Sequence, residues 1–403
     1  MRALDRGFRW LLGQRGVRKL LRDRVALVAL AVISVYVGIA ALILFFDVIT
    51  LDETTERVGP RTMPGVWESP SLESRLAFAE LYLETVQNAL DKRSPEKALA
   101  EVRFAELELA ALSIDERQAL LDEGWDLFDE LDELDDLDAA AERDPGVLAK
   151  LSRFEETAAR LYRRPTGCAA LKYRARLLLG TDRQGRSILV RSIYSIKVAT
   201  QIGVVAALIS VLIGTLLGGA AAFFGGWVDH LVVWLYSTFS SIPWIVLLTV
   251  LASMFMGSRF DGGLVPVYSA FCLSFWIAPC RVIRGEVLKL KELEFVQAAT
   301  AIGFGRARIL LKHVLPNTAH LMFINFSLLF IGAIKAEVIL SFLGLGVKNE
   351  PSWGVMINHS REEVINHFFW QIGSATFFMV VLVLAFNVLS DALQDAFDPK
   401  HVG

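Results

Sequence analysis

The chain has 403 residues, 54% of them hydrophobic, with 41 Lys and Arg against 44 Asp and Glu. It is too apolar for an ordinary soluble enzyme, and insertion in a membrane is the first reading. No GxxxxGK[ST], HExxH or CxxC occurs, the six His do not cluster, and Cys168, Cys272 and Cys280 offer neither a disulfide framework nor a metal spacing, so ATP hydrolysis or metal catalysis by this chain is not expected.

Residues 1–24 carry eight Lys and Arg against two Asp, and an N-terminus this basic stays cytoplasmic. A cleaved signal peptide fits poorly, because the next apolar run is too long and no small-residue cleavage site follows promptly. Six stretches approach the roughly 20 apolar residues of a spanning helix. They are Val25 to Phe46, Ile202 to Phe224, Leu231 to Phe255, Leu264 to Ile283, Leu321 to Leu345 and Ile372 to Leu389. The expectation is an all-α polytopic membrane protein with both termini cytoplasmic. One segment runs against this topology: residues 161–197, placed outside, hold nine Lys and Arg and only Asp182.

Between the first and second spans the character changes. From Leu51 to Arg160 there are 28 Asp and Glu against 12 Lys and Arg, a difference of −16 that marks a separate domain. Its boundaries are set at 47–175, between the first span at 25–46 and a five-helix core at 176–392. Ser69-Pro70, Ser94-Pro95, Asp144-Pro145 and the box Ser113 to Glu116 each predict a helix start. Leu72, Leu76, Ala79, Leu83, Val86 and Leu90 repeat at helical spacing, as do Ala98, Val102, Ala105, Leu109 and Leu112. The expectation is a small antiparallel helical bundle outside the membrane. The run Asp129 to Asp138 reads as a solvated helix face rather than a cation site, since no glycine-containing calcium loop is present. The acidic bundle could instead rest against the basic segment 161–197, which would account for that segment's charge.

Farther along, Lys335 and Glu337 fall in the fifth span, where ionisable groups are costly and therefore candidates for function. Two positions apart, they point to nearly opposite faces, so each needs its own partner or an aqueous cavity. The stretch "EFVQAATAIGFGRARILLKHVLPN", residues 294–317, reads as a short helix, a break at Gly303 and Gly305, and a second helix from Arg306 to Val314 stopped before Pro316. It lies in a loop, 284–320, that is long for a plain connector. Small residues at Ala298, Ala299 and Gly303 suit the close approach of another surface.

The spacing Gln297-Ala298-Ala299, Gly303, Ile309, Leu315-Pro316 resembles the EAA loop of permease subunits in binding-protein-dependent ABC importers. "LGTDRQGRSILVRSIYS", "AAAFFGGWVD", "LSFLGLGV", "PSWGVMI" and "LSDALQDAFDPK" are similar, in order, to the second permease of the dipeptide, oligopeptide and nickel importer group. The likeness covers about residues 176–400 plus the first span and leaves out the acidic insertion.

The resemblance implies the type I ABC importer permease fold with six transmembrane helices, the insertion extracytoplasmic and residues 393–403 a cytoplasmic tail. It implies, as partners, a second permease, cytoplasmic ATPase subunits that bind ATP and Mg, and an extracytoplasmic substrate-binding protein. Membrane lipid completes the set; no nucleic acid and no cofactor of the chain's own are expected. The location implied is the bacterial inner membrane and the cargo di- or oligopeptides, with nickel chelates and oligosaccharides behind them.

Gln297, Ala298, Ala299, Gly303, Ile309, Leu315 and Pro316 would form the ATPase-coupling segment. Asp182, Gly185, Arg186, Trp353 and Gly354 would shape the outer gate or docking surface, with Trp353 at the membrane interface. Two positions depart from the family pattern: Gln297 stands where Glu is usual, and Ser187 where Asp is frequent. A gradient-driven solitary transporter and a membrane receptor with an extracytoplasmic sensor are the alternative classes, and the EAA pattern fits neither.

Overall fold

The structure is a computed structural model that describes residues 23–63, 71–92, 95–104, 107–134, 136–163 and 165–397. The basic N-terminus up to residue 22, Ser69-Pro70, Ser94, Ala105, Asp135 and the tail from 398 lie outside the described residues. In chain order the elements are α1 (Arg24–Phe46), α2 (Leu51–Thr55), α3 (Leu72–Leu90), α4 (Pro95–Glu101), β1 (Arg103–Phe104), β2 (Leu107–Leu109), α5 (Ile114–Asp132), α6 (Leu137–Arg143), α7 (Pro145–Arg160) and β3 (Tyr162–Arg163). There follow α8 (Cys168–Arg176), α9 (Ile188–Phe224), α10 (Gly226–Ser240), α11 (Trp244–Ser253), α12 (Leu264–Phe275), α13 (Ile277–Leu290), α14 (Glu294–Ala301), α15 (Arg306–Ile309), α16 (Ala319–Phe342), α17 (Trp353–Ile365) and α18 (Trp370–Phe397). Packing divides the chain into two units, one of Met1–Phe46, Ser195–Asn358 and Thr376–Gly403, the other of Asp47–Tyr194 and His359–Ala375.

Five helices among the described residues are long and apolar enough to cross a membrane, and a sixth crossing exists if the bent pair α10 and α11 counts as one span. That pair corrects the third expected span. Leu231 to Phe255 is not one helix but two, turned by 89° between Ser240 and Trp244. The cause is Pro243, which lacks an amide to continue the ladder and biases Ile242 away from helical backbone.

The second span also differs: α9 begins at Ile188 rather than Ile202. Arg191 and Lys197 hide its start from a hydropathy reading, yet both are accommodated, Arg191 3.5 Å from Asp182 and Lys197 3.4 Å from Glu350. The fourth continues past Ile283 to Leu290, with a joint at Trp276. In the fifth, Pro316 does not stop the helix. A π turn at Leu310–Val314 and a 3₁₀ turn at Leu315–Thr318 carry the rod from α15 into α16. The side-chain amide of Asn317 donates to the His313 carbonyl at 2.6 Å.

Spans approach closely where side chains are smallest. Gly214 and Gly218 of α9 form a GxxxG pair, and a Cβ at either would lie 2.6 Å from the Trp276 carbonyl oxygen or 2.3 Å from that of Cys280. Higher on the same helix Gly203 faces Phe330 of α16, which stacks on Phe386 of α18 at 3.9 Å between ring centroids. The Tyr36 hydroxyl of α1 donates to the Phe378 carbonyl at 3.0 Å, tying the first span to the last.

In the second unit, α3, α5, α6 and α7 bury Leu83, Leu121, Leu131, Leu151 and Phe154 in one apolar core. The caps explain the starts: Ser71 accepts from the Ser74 amide, Ser113 and Glu116 form a reciprocal capping box, and Asp144 caps α7 with Pro145 in its first turn. The expected second helical stripe is corrected. Helix α4 ends at Glu101, and Leu109 belongs to a short antiparallel sheet of order β1-β2-β3, in which Leu109 pairs with Tyr162. Where the acidic run is described, it ends α5 and starts α6, with Asp136 as the cap of α6. The basic segment does find acidic partners, Lys172 with Glu53 at 2.7 Å and Arg176 with Glu53 and Glu56 at 3.1 and 2.8 Å.

Candidate coupling site

Helix α14 starts without a side-chain cap and stops by design of its sequence. Gly303, at φ +90°, donates its amide to the Thr300 carbonyl, and the Phe304 amide reaches back to the Ala299 carbonyl at 3.2 Å. These two bonds are the Schellman stop, and the left-handed backbone they need suits glycine. A Cβ at Gly303 would meet nothing within 4 Å, so the backbone angle, not space, selects the residue.

The helix has two faces. Val296 and Ala299 are buried with Ala222, Ile283, Val287, Ile309, Leu310, Val314 and Leu315, which seats the short helix on the ends of α9 and α13. Outward, Leu293, Phe295, Ile302, Phe304 and Leu311 are exposed, Ile302 by 74%. Charged Glu294, Arg306, Arg308 and Lys312 surround them. Among the expected coupling residues, Gln297, Ala298, Gly303 and Pro316 lie on the open side, whereas Ala299, Ile309 and Leu315 are packing residues. The Gln297 side chain donates to the Glu292 carbonyl at 3.1 Å. Asp229 of α10 receives Nε and Nη2 of Arg284 at 2.6 and 2.7 Å, so the base on which α14 rests is braced by a two-pronged ion pair.

The second group of expected residues is organised differently. Asp182 is only 2% exposed, and its carboxylate accepts from the amides of Gln184 and Arg186 and from the Arg186 guanidinium at 2.7 Å. Gly185, at φ +74°, lies so close to Arg57 and the Gly59 carbonyl that a Cβ would sit 2.5 Å from both. Its own carbonyl accepts the Val58 amide at 2.8 Å. Asp182, Gly185 and Arg186 therefore build a closed turn. Glu363, almost fully buried, accepts the Arg183 amide at 3.0 Å, and its burial, reinforced by the charge of Asp182, pushes its carboxyl up to about 7.

Trp353 is 1% exposed, which corrects its placement at a membrane interface: it is a core residue. Beside it, Glu337 of α16 accepts the hydroxyls of Ser341 and Ser352, each at 2.6 Å, and Ser352 accepts the Val355 amide at 3.1 Å to cap α17. A Cβ on Gly354 would lie 2.7 Å from the Ser341 Cβ. "LSFLGLG" and "PSWGVM" thus meet around one buried carboxylate, which supplies the separate partner that Glu337 needed. Lys335 is exposed on another face of α16.

The model of the family described as the binding-protein-dependent transport system inner membrane component matches residues 194–402. The chain belongs to that family. It is 37% identical over 222 residues to the dipeptide transport system permease protein DppC of Bacillus subtilis, covering 55% of this chain and 68% of that one. Against the oligopeptide transport system permease protein OppC of Haemophilus influenzae the identity is 35% over 224 residues, 55% of this chain and 70% of that one. A solved structure of the MetNI methionine ABC transporter in inward-facing conformations is similar at a TM-score of 0.42 and 16% identity, over 52% of this chain and 97% of that one, a likeness too low to carry an argument. The protein is a multi-pass inner-membrane permease subunit of an ABC transporter.

The GxxxG pair on α9 and the joint between α10 and α11 are features that the sequence reading passed over. Both carry a local signal: two glycines four apart in an apolar run, and a proline in the middle of another.

Proposed function

We propose that the permease imports di- or oligopeptides, driven by cytoplasmic ATPase subunits that dock on α14 and its surroundings and that carry the ATP and Mg. The observation that carries this reading is the exposed apolar face of Leu293, Phe295, Ile302, Phe304 and Leu311, rimmed by charge. In a water-facing loop such a patch marks a surface that another protein covers. On this reading α14 faces the cytoplasm, as do both chain termini, and the acidic segment stands on the opposite side of the membrane, where the substrate-binding protein docks.

A short helix seated rigidly on the ends of two spans passes movement of its partner to those spans as a rigid body. The permease itself performs no chemistry. A second permease completes the pathway, and the names of the two relatives support peptides as cargo. Ile302→Glu puts a charge on the patch while leaving the buried face intact. In vesicles holding the assembled importer it is expected to lower ATP-driven peptide uptake at least tenfold with no change in the amount of permease folded. Uptake at the parental rate would defeat the docking reading.

A further inference from the structure

The bend between α10 and α11 has a chemical consequence. Residues 240–246 are all exposed, and so are Ser237 and Thr238 on the last turn of α10. Irregular backbone at membrane depth is tolerated where protein buries it or where it lines a watery cavity, because its free carbonyls and amides find no partner in lipid. Here this protein's own side chains do not bury it.

Arg281 of α13 reaches this corner. Its Nη2 donates to the Ser240 hydroxyl at 2.7 Å, and its guanidinium lies 4.8 Å from the centre of the Tyr236 ring. Arg281 stands nine residues before the end of α13, about 13 Å along the axis, and Ser240 stands fourteen residues after the start of α10, about 21 Å. Both lie in stretches long and apolar enough to cross a membrane, Arg281 in Leu264–Leu290 and Ser240 in the bent pair of α10 and α11.

The neighbouring arginine sharpens the case. Arg284, one turn away, is neutralised in two-pronged fashion by Asp229, whereas among the described residues no carboxylate is paired with Arg281. An exposed guanidinium is thus held by a neutral hydroxyl and an aromatic face, with most of its five N–H donors unspent. Ser240 accepts from Arg281 and keeps its own proton to donate. Donors converging from a guanidinium and a hydroxyl are the arrangement that a carboxylate fits, and a planar fork recognises it with both oxygens. The tyrosine ring holds the guanidinium in place by cation–π attraction.

We infer that Arg281 and Ser240, at the broken span, form a subsite on the translocation pathway for the carboxylate of the transported peptide. This rests on the peptide reading above. The chemistry would also accept a lipid phosphate, and the test separates the two sources.

The complete importer is reconstituted in vesicles, and uptake of trialanine is compared with uptake of its C-terminal amide for the parent, Arg281→Gln, Arg281→Lys and Ser240→Ala. The binding protein's own preference is common to every permease variant, so for each peptide the ratio of variant to parent rate isolates the permease. Arg281→Gln is expected to slow the free acid at least tenfold and the amide less than twofold. Arg281→Lys is expected to restore most of the acid uptake, and Ser240→Ala to lower it a few-fold. An equal loss for both peptides would assign Arg281 to a lipid phosphate or to assembly and overturn the inference, as would no loss for either. If the parent importer moves neither peptide, the peptide reading itself fails and this subsite falls with it.

Discussion

The turn at residues 180–187 and the proposed coupling segment at 294–305 both rest on a glycine with positive φ, and they use it to opposite ends. At Gly185 the reversal closes a polar knot in which the buried Asp182 accepts from two amides and a guanidinium. At Gly303 the reversal ends a helix whose apolar outer face stays open. A glycine reversal can therefore close a buried turn in one place and leave an apolar face open in another, and burial tells the two apart. Asp182 at 2% exposure belongs to the first kind and Ile302 at 74% to the second.

The largest effect that sharpens this contrast is expected at Asp182. Asp182→Ala leaves Arg186 and the buried Arg191 without their carboxylate, a loss of about 3–5 kcal/mol for a broken buried pair. Thermal unfolding of the purified permease in detergent should show it as a clear fall in midpoint, and an unchanged midpoint would break the description of a closed knot. Gly303→Val should be milder for the fold, about 1–2 kcal/mol for forcing a β-branched residue into left-handed backbone, yet severe for peptide uptake. Gly303→Asn, better suited to that backbone, should recover most of the uptake. If valine left uptake intact, the Schellman stop would have no part in coupling.

A smaller, pH-dependent effect is expected at Glu363. Its carboxyl is pushed up to about 7 by burial, above its usual value when unfolded, so the folded state holds the proton more tightly. The stability it contributes is fully present below the ordinary carboxyl value near 4.5 and is lost as pH rises through about 7. Glu363→Gln should then raise the unfolding midpoint by a few degrees at pH 8 and leave it nearly unchanged at pH 4.5. His359, pushed down by burial and by Arg191 and Arg186, gains stability as pH rises and so runs the other way, but it is common to parent and variant and cancels in their difference. A gain of equal size at both pH values would contradict the assignment.

Much of the architecture was legible because membranes impose a length rule. Arg24–Phe46 and Trp370–Phe397 declare themselves by apolar runs alone, and the end of α14 by the break at Gly303. What escaped had nonlocal causes. The start of α9 was hidden by Arg191 and Lys197, whose partners Asp182 and Glu350 lie elsewhere in the chain. The stripe from Ala98 to Leu112 has helical spacing, but β2 is claimed by β3, more than fifty residues away. Within the coupling segment, the sequence placed Ala298 and Ala299 together, and only packing shows that the first faces outward and the second inward. Trp353 misled for a related reason: a tryptophan near a span end suits an interface, but here it is 1% exposed and belongs to the core.

The central claim is that α14 is the seat of the ATPase, and a photo-crosslinking residue at Ala298 tests it most directly. Illumination of the assembled importer in its membrane should join position 298 to a subunit carrying the GxxxxGK[ST] motif, and Ile302→Glu should abolish the product. Crosslinks to lipid alone, or to the substrate-binding protein, would place this helix on another surface and contradict the account.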